Sequence, residues 1–342
     1  MQDSPEVPLA AKIEYLRQPG SYPDGAGLIE TIETHFAWVF LSRRFVYKLK
    51  KPIRFQGMDF TSLQTRRVNC ELEVALNRRL AEAVYVGVVP LSVTDSGMAL
   101  EGTGPPIEWL VKMHRLPANR VLDEAARNAE VTAADLRAVI TKLVRFYAST
   151  TRAFWSEAEY LEHLEKELRD YRRRLSTPQL RLDPRTVEPL IAAQQGFLRD
   201  RADLPSARIT QGWVVDAHGD LRPEHIFLTE IPQIIDCLEF STELRLLDSA
   251  AELAFLALEC ERMGQRSIGE QMVHLYLEQS RDPIPPELLH FYRSMRALVR
   301  ALLSAWHLVD ADTVDAERWL RRANWYLDAA RTSIEEALAQ RR

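Results

Sequence analysis

Short apolar runs with strand-like texture fill the first hundred-odd residues, and helical spacing takes over from about residue 117. In the first part, "THFAWVFL" (34–41), "RFVYKLK" (44–50) and "PIEWLVKM" (106–113) are rich in β-branched, aromatic and aliphatic residues and short enough for strands. A tight turn around Ser42 and Arg43 joins the first two. Between the second and third, residues 60–82 carry Leu63, Val68, Leu72, Leu76 and Leu80 at helical spacing, which predicts one helix across a small antiparallel sheet. The later part holds amphipathic segments at 132–153, 156–175, 184–201, 249–263, 266–280, 286–309 and 312–339. The expected fold class is therefore α+β in two lobes, a small sheet lobe over 1–115 and a large, mainly helical lobe over 116–342. No internal repeat or low-complexity tract stands out.

The helical part is interrupted once, at 208–240, where Gly212, Gly219, Pro223 and Pro232 punctuate short apolar runs. There "HGDLRPEHIFL" (218–228) crowds His218, Asp220, Arg222, Glu224 and His225 into eight positions ahead of apolar residues. If 226–228 and 233–236 form a hairpin around 229–232, residue 228 pairs with 233 and His225 comes opposite Asp236. A slip of one residue would turn Asp236 away. Asp220 can take or orient a proton, Asp236 can hold a divalent cation, and Arg222 lies between them, a set that suits phosphoryl transfer. Each residue also has a plainer use: His218 and Asp220 capping a turn, Asp236 in a surface ion pair, Arg222 in solvent. On the strand 44–50, Val46, Lys48 and Lys50 share one face.

Composition narrows the classes of function. The chain has 342 residues, 46% hydrophobic and 27% charged, enough for two lobes with substantial cores. A net charge of -5 and a pI near 6.0 speak against a nucleic-acid partner, which needs a basic face. The opening residues lack the basic, apolar, small-residue order of a secretion signal, and no apolar run approaches the ~20 residues of a membrane span. Cys70, Cys237 and Cys260 are too scattered for a disulfide framework or a zinc knuckle. The expectation is a cytoplasmic protein that binds neither nucleic acid nor membrane.

"HGDLRPEH" followed by "IIDCLEF" resembles the catalytic loop and metal-binding segment of aminoglycoside phosphotransferase-like kinases, which have a protein-kinase-like fold. The resemblance implies an ATP-dependent transfer of phosphate to a hydroxyl of a small metabolite, with a nucleotide-binding lobe over 1–115, a catalytic loop over 218–225 and a metal-binding segment over 234–240. Asp220 then matches the catalytic aspartate, Arg222 stands near the transferred phosphate, and Asp236 matches the metal-binding aspartate. His218 is implied to hold the loop's shape, Asp248 to brace it from a helix start, and Glu239 to support the metal or substrate. In the small lobe Val46 matches the adenine-packing residue and Lys48 the phosphate-binding lysine, with Lys50 in reserve. Glu73 matches the partner of that lysine, with Glu71 as the alternative. The strand end at Met113, His114 and Arg115 is implied to offer its backbone to the adenine.

Two departures matter. No glycine-rich loop precedes Lys48, so Thr34 and His35 in the turn 33–35 are the candidates for phosphate contact. His225 stands where the family has a metal-binding Asn, and imidazole suits Mn²⁺ better than Mg²⁺. Either His225 biases the metal, or it hydrogen-bonds Asp220 and leaves Mg²⁺ to Asp236 and the phosphates. These departures keep a nucleotide-binding pseudokinase open as the alternative, and a metallohydrolase built on His218, Asp220, His225 and Asp236 as a third reading.

Overall fold

The computed structural model describes residues 7–23, 25, 27–55, 58–309 and 315–340, so the expected start of the last amphipathic segment at 312–314 lies outside them. The chain divides into two compact units, Met1–Glu130 with Glu224–Thr242, and Val131–Pro223 with Glu243–Arg342.

The first unit begins with α1 (Leu9–Arg17), β1 (Glu30–Glu33), β2 (Ala37–Leu41), β3 (Phe45–Lys50) and a small hairpin of β4 (Arg54–Phe55) and β5 (Met58–Asp59). It continues through α2 (Leu63–Ala81), β6 (Tyr85–Thr94), β7 (Gly97–Leu100), β8 (Pro106–His114) and α3 (Leu122–Arg127). Six strands make one antiparallel sheet in the order β1-β2-β3-β8-β6-β7. The two-residue period of β3 decides what this sheet can do. Tyr47 and Leu49 enter the core formed with Ile13 and Leu16 of α1, while Val46 packs on the opposite face with Cys70 and Val74 of α2. Lys48 and Lys50 share that second face.

The sequence pattern finds β2, β3, β8 and α2 within a few residues, but not α1, β1, β6 or β7. Gly87 and Pro90 break the apolar run of β6, and both punctuate loops far more often than they sit inside strands. Gly87 marks a register shift against β8, and Pro90 pairs with Trp109. A larger correction concerns the buried face of α2. Val68 is 51% exposed and Leu72 39%, while Arg66, Asn69, Glu73 and Asn77 are buried. Each of the three that matter most has a partner inside. Arg66 grips the buried Glu108 with Nε and Nη2, both at 2.8 Å, Glu73 meets lysines of β3, and Asn77 accepts a backbone amide.

The second unit starts with α4 (Ala133–Ser149), α5 (Glu157–Leu175), α6 (Pro184–Asp200), α7 (Asp203–Thr210) and β9 (Val214–Asp216). Thr132 and Ser156 close capping boxes on α4 and α5 with Asp135 and Glu159, which explains why those starts are legible. The chain then returns to the first unit for β10 (Ile226–Phe227) and β11 (Gln233–Ile234). After α8 (Thr242–Arg245) it completes the second unit with β12 (Leu246–Asp248), α9 (Ser249–Arg262), α10 (Arg266–Ser280), α11 (Pro286–Trp306) and α12 (Ala316–Ala339). β12 pairs antiparallel with β9, so the loop after β9 leaves from beside the start of α9. Under that pair the buried Arg208 is shared by Asp248, at 2.7 and 2.8 Å, and Asp282, at 2.8 Å. Two carboxylates around one guanidinium meet the condition a buried charge sets, that its partners fill its hydrogen-bonding capacity. No helix among the described residues is long and apolar enough to cross a membrane.

Candidate active site

Each unit carries a polar cluster. In the first, Lys48 on β3 donates to Glu73 Oε1 of α2 at 2.9 Å and to Asp236 Oδ1 at 2.8 Å. Lys50, one period along, meets Glu73 Oε2 at 2.6 Å and also pairs with Glu239. Glu73 is therefore held by two ammonium groups, while Glu71 turns outward to Arg67 at 2.9 Å. The Glu73 side chain is 1% exposed and that of Asp236 44%. Burial alone would lower the Lys48 pKa, but the carboxylates of Asp236, Glu73 and Glu239 outweigh it and hold the amine well above its usual range. Burial would raise Glu73, and the opposing charges of Lys48 and Lys50 keep it below the usual carboxylate value. Both groups are thereby held ionised.

The hairpin that delivers Asp236 differs from the sequence expectation by one residue. Ile226 pairs with Ile234 and Phe227 with Gln233, so His225 comes opposite Ile235, whose amide donates to the His225 carbonyl at 3.0 Å. The cause lies at Leu228. Its amide bonds the Arg120 carbonyl at 2.7 Å and its carbonyl accepts from Arg120 Nε at 2.7 Å, which draws it out of the hairpin and lengthens the turn. The slip does not turn Asp236 away, because Asp236 adopts a left-handed backbone with φ 63°. Asp is among the few residues with a side chain that tolerates this region. The twist brings Asp236 Oδ2 to 3.5 Å from His225 Nε2 and Oδ1 to Lys48. The segment is tied to α2 and β6: the Asp236 amide bonds Tyr85 Oη at 3.3 Å, and the Cys237 amide bonds Asn77 Oδ1 at 2.8 Å. Burial, with Glu73 and Asp236 nearby, pushes the Tyr85 phenol well above its usual range, so it stays protonated.

The other first-unit candidates fall around this cluster. Val46 pairs with Met113 across β3 and β8 and packs with Val88, Leu116 and Ile235 against the α2 side of the sheet. The His114 amide is used by Val84 and the Arg115 amide by Arg44, so a base edge there must be read by other atoms. Thr34 closes the β1–β2 turn, its hydroxyl bonding Ala37 at 3.0 Å, and the exposed His35 lies edge-on to Phe36. Phe36 in turn sits 5.7 Å from Phe240, so this turn borders the segment after Asp236.

In the second unit the loop after β9 carries His218, Asp220 and Arg222. Gly219 has φ 87°, a conformation glycine adopts without cost. His218 is fully buried and its Nδ1 accepts from the Asp220 amide at 3.3 Å. Arg222 Nε lies 3.1 Å from Asp220 Oδ2. The residue that grips the loop backbone is Glu252 of α9: its carboxylate accepts from the amides of Gly219 at 2.5 Å and His218 at 3.2 Å and from Tyr147 Oη at 2.8 Å. The family resemblance gave the bracing role to Asp248. In the structure Asp248 is the helix cap, bonding the Ala250 amide at 2.9 Å, and is held by Arg208 and Tyr292. Glu252 stands three residues after Ser249, a spacing that suits a local capping box, and no local signal shows that it turns back to the loop. Among the described residues no group of three or more His, Cys, Asp or Glu converges to hold a metal by itself.

No protein-family model matches the chain. Uncharacterized proteins of Mycobacterium bovis and Mycobacterium tuberculosis are 32% identical to it over 283 residues, which cover 80% of this chain and 54% of theirs. The chain thus spans about half the length of the curated relatives it matches. Among solved structures, a choline/ethanolamine kinase family protein from Mesorhizobium loti superposes with a TM-score of 0.53 at 16% identity, over 94% of this chain and 99% of that one. A mutant aminoglycoside 2'-phosphotransferase-IIIa in complex with GDP gives 0.54 at 13% identity, over 94% and 97%. Choline kinase from Cryptosporidium parvum Iowa II gives 0.53 at 12%, over 96% and 97%. A six-stranded antiparallel sheet, a chain that is otherwise mostly helical, and these neighbours identify the aminoglycoside phosphotransferase and protein-kinase-like fold.

Proposed function

We propose that this chain is a phosphotransferase that moves the γ-phosphoryl group of ATP to a hydroxyl of a small metabolite. The observation that carries this reading is the joint placement of Lys48, Glu73 and Asp236. A lysine kept charged by Asp236 and the buried Glu73 is poised for phosphate oxygens, and the half-exposed Asp236 carboxylate beside it can take a cation. The kinases that share the fold are named for choline, ethanolamine and aminoglycosides, and one is a GDP complex.

The donors present fit a divalent cation brought in with the nucleotide: one carboxylate at Asp236, an imidazole at His225, and phosphate oxygens for the remaining positions. Asp236 and His225 would hold Mg²⁺ or Mn²⁺, which when bound neutralises phosphate charge. Lys48 steadies the phosphates, Val46 with Met113 and Ile235 offers an apolar seat for the base, and Thr34 and His35 border the phosphates. Asp220 receives the acceptor proton as the hydroxyl attacks, Arg222 orients Asp220, and His218 with Glu252 keeps the loop in shape.

Purified protein is expected to transfer or hydrolyse the γ-phosphate of ATP with Mg²⁺ or Mn²⁺. Asp220→Ala should lower turnover by about 10²–10⁴-fold, with nucleotide affinity unchanged by calorimetry. Unchanged turnover in that variant rules the assignment out. One observation favours a nucleotide-binding pseudokinase instead: the Lys48 amine already contacts Asp236 Oδ1, the oxygen a cation needs. Stabilisation by ATP that is independent of metal, with no phosphate released in a sensitive assay, would select that reading.

A further inference from the structure

The helical unit places an arginine-rich face next to the loop that carries Asp220. Arg296 of α11 donates from Nη2 to the Gly219 carbonyl at 2.9 Å, and its guanidinium stacks over Phe255 of α9 at 4.6 Å. One helical turn on, Arg300 lies over the same ring at 5.8 Å and 3.2 Å from the buried Glu259. Arg262 meets that carboxylate at 2.9 Å, and Tyr326 of α12 donates to it at 2.6 Å. One turn before Tyr326, Arg322 lies over the Tyr326 and Trp319 rings at 5.9 and 5.6 Å.

The charges here do not cancel. Arg262 and Arg300 share the one carboxylate of Glu259, and burial pushes Glu252, the carboxylate that feels Arg296, above the usual range, which weakens its share. Glu167, which lines a small cavity with Arg296, is engaged by Tyr171 Oη at 2.9 Å. Arg296 and Arg322 make no ion pair among the described residues, and each buries an Nε with no hydrogen-bond partner. Burial would lower the Arg300 pKa, but Glu259 first, then Tyr326 and Asp220, outweigh it and raise it. Aromatic faces hold these planar groups in fixed orientations, as suits bidentate recognition of an oxyanion. An amine brought to the same place would meet surplus positive charge.

Building on the phosphotransferase reading above, we infer that the acceptor is a small anion, a hydroxyl compound bearing a carboxylate or a phosphate, whose oxyanion is held by Arg296, Arg300 and Arg322 while its hydroxyl is presented to Asp220. In the step itself the acceptor oxygen bonds the γ-phosphorus of the nucleoside triphosphate and the bond to the β–γ bridging oxygen breaks. The nucleoside diphosphate leaves, and the hydroxyl proton passes to the Asp220 carboxylate.

The test is calorimetric titration of the full chain, loaded with a non-hydrolysable ATP analogue, with gluconate, glucose 6-phosphate, choline and glucosamine. At least one anion is expected to bind ten times more tightly than either amine, and gluconate against glucose 6-phosphate separates carboxylate from phosphate. Arg322→Gln should weaken the preferred anion at least fivefold, and Arg300→Lys, which keeps the charge but not the fork, should weaken it by a smaller factor. Binding of neither anion, tighter binding of an amine, or anion affinity untouched by Arg322→Gln overturns the inference. Basal ATP hydrolysis, measured on the same preparation, tests the phosphotransferase reading separately and stands or falls whatever the titration shows.

Discussion

Glu73 illustrates what a single residue can hold together. Its two carboxylate oxygens face two ammonium groups on one strand face, and through Lys48 and Lys50 it is linked to Asp236 and Glu239. Removing one partner from such a buried group leaves charge without compensation, a loss of about 3–5 kcal/mol. Glu73→Gln is therefore expected to destabilise the protein by about 3 kcal/mol at neutral pH, read from urea midpoints. Because the folded carboxyl is held below the 4.5 of an ordinary glutamate, the unfolded chain takes up its proton first as pH falls. The advantage of wild type over Glu73→Gln should then be full above about pH 4.5 and shrink as pH drops through the lowered folded value. On the alkaline side Lys48 is raised above 10.5, so its contribution is complete below that pH and lost as pH rises through the raised folded value. A gap between the two proteins that stayed constant from pH 3 to pH 7 would contradict this account. The pairing of Lys48 with Glu73 was readable only through the family resemblance, with Glu71 as the alternative, since strand alternation puts Lys48 and Lys50 on one face without choosing their glutamate. The second grip by Lys50 was not, because nothing in a sequence says how two neighbouring lysines divide one carboxylate.

At the scale of elements, α2 and the β10–β11 hairpin show where local rules yield to tertiary partners. The apolar residues Val68 and Leu72 mark α2 as a helix but not its inward face, which carries Arg66, Glu73 and Asn77 because Glu108, the β3 lysines and the Cys237 amide wait there. Hydrophobic spacing reports the average preference of a helix face, and buried ion pairs with satisfied hydrogen bonds can outweigh it. Leu72→Gln should accordingly change unfolding free energy by no more than about 0.5 kcal/mol. Asn77→Ala, which strips a partner from the buried Cys237 amide, should cost about 1–3 kcal/mol. Chemical denaturation of the two variants decides it, and equal losses would mean that the apolar side of α2 is the packed one. The hairpin tells the same story from the backbone. Its position and polar end were readable, but its register depended on Leu228 pairing with Arg120, more than a hundred residues away in the chain. The left-handed turn at Asp236 then restored the aim that the slip alone would have lost.

For the whole molecule the informative fact is that the first unit is discontinuous. The change from strand to helical texture near residue 117 is visible in the sequence because periodicity is a property of each segment. The return of 224–242 to the sheet unit is not, since only tertiary contacts reveal it. Those nineteen or so residues supply Asp236 and Glu239 to the lysines, Cys237 to Asn77, Ile235 to the α2 side of the sheet and Leu228 to Arg120. A fragment ending at residue 130 would keep the six-stranded sheet but lose every one of these partners, leaving Lys48 and Lys50 to Glu73 alone and Asn77 without its amide. Such losses of about 1–3 kcal/mol for each buried polar group add up to much of a small domain's net stability. The fragment is therefore expected to unfold without a cooperative transition in circular dichroism, under conditions where the full chain melts sharply. A sharp transition in the fragment, with ATP raising its midpoint, would show instead that the sheet unit is complete without the returning segment and that Asp236 is dispensable for nucleotide binding.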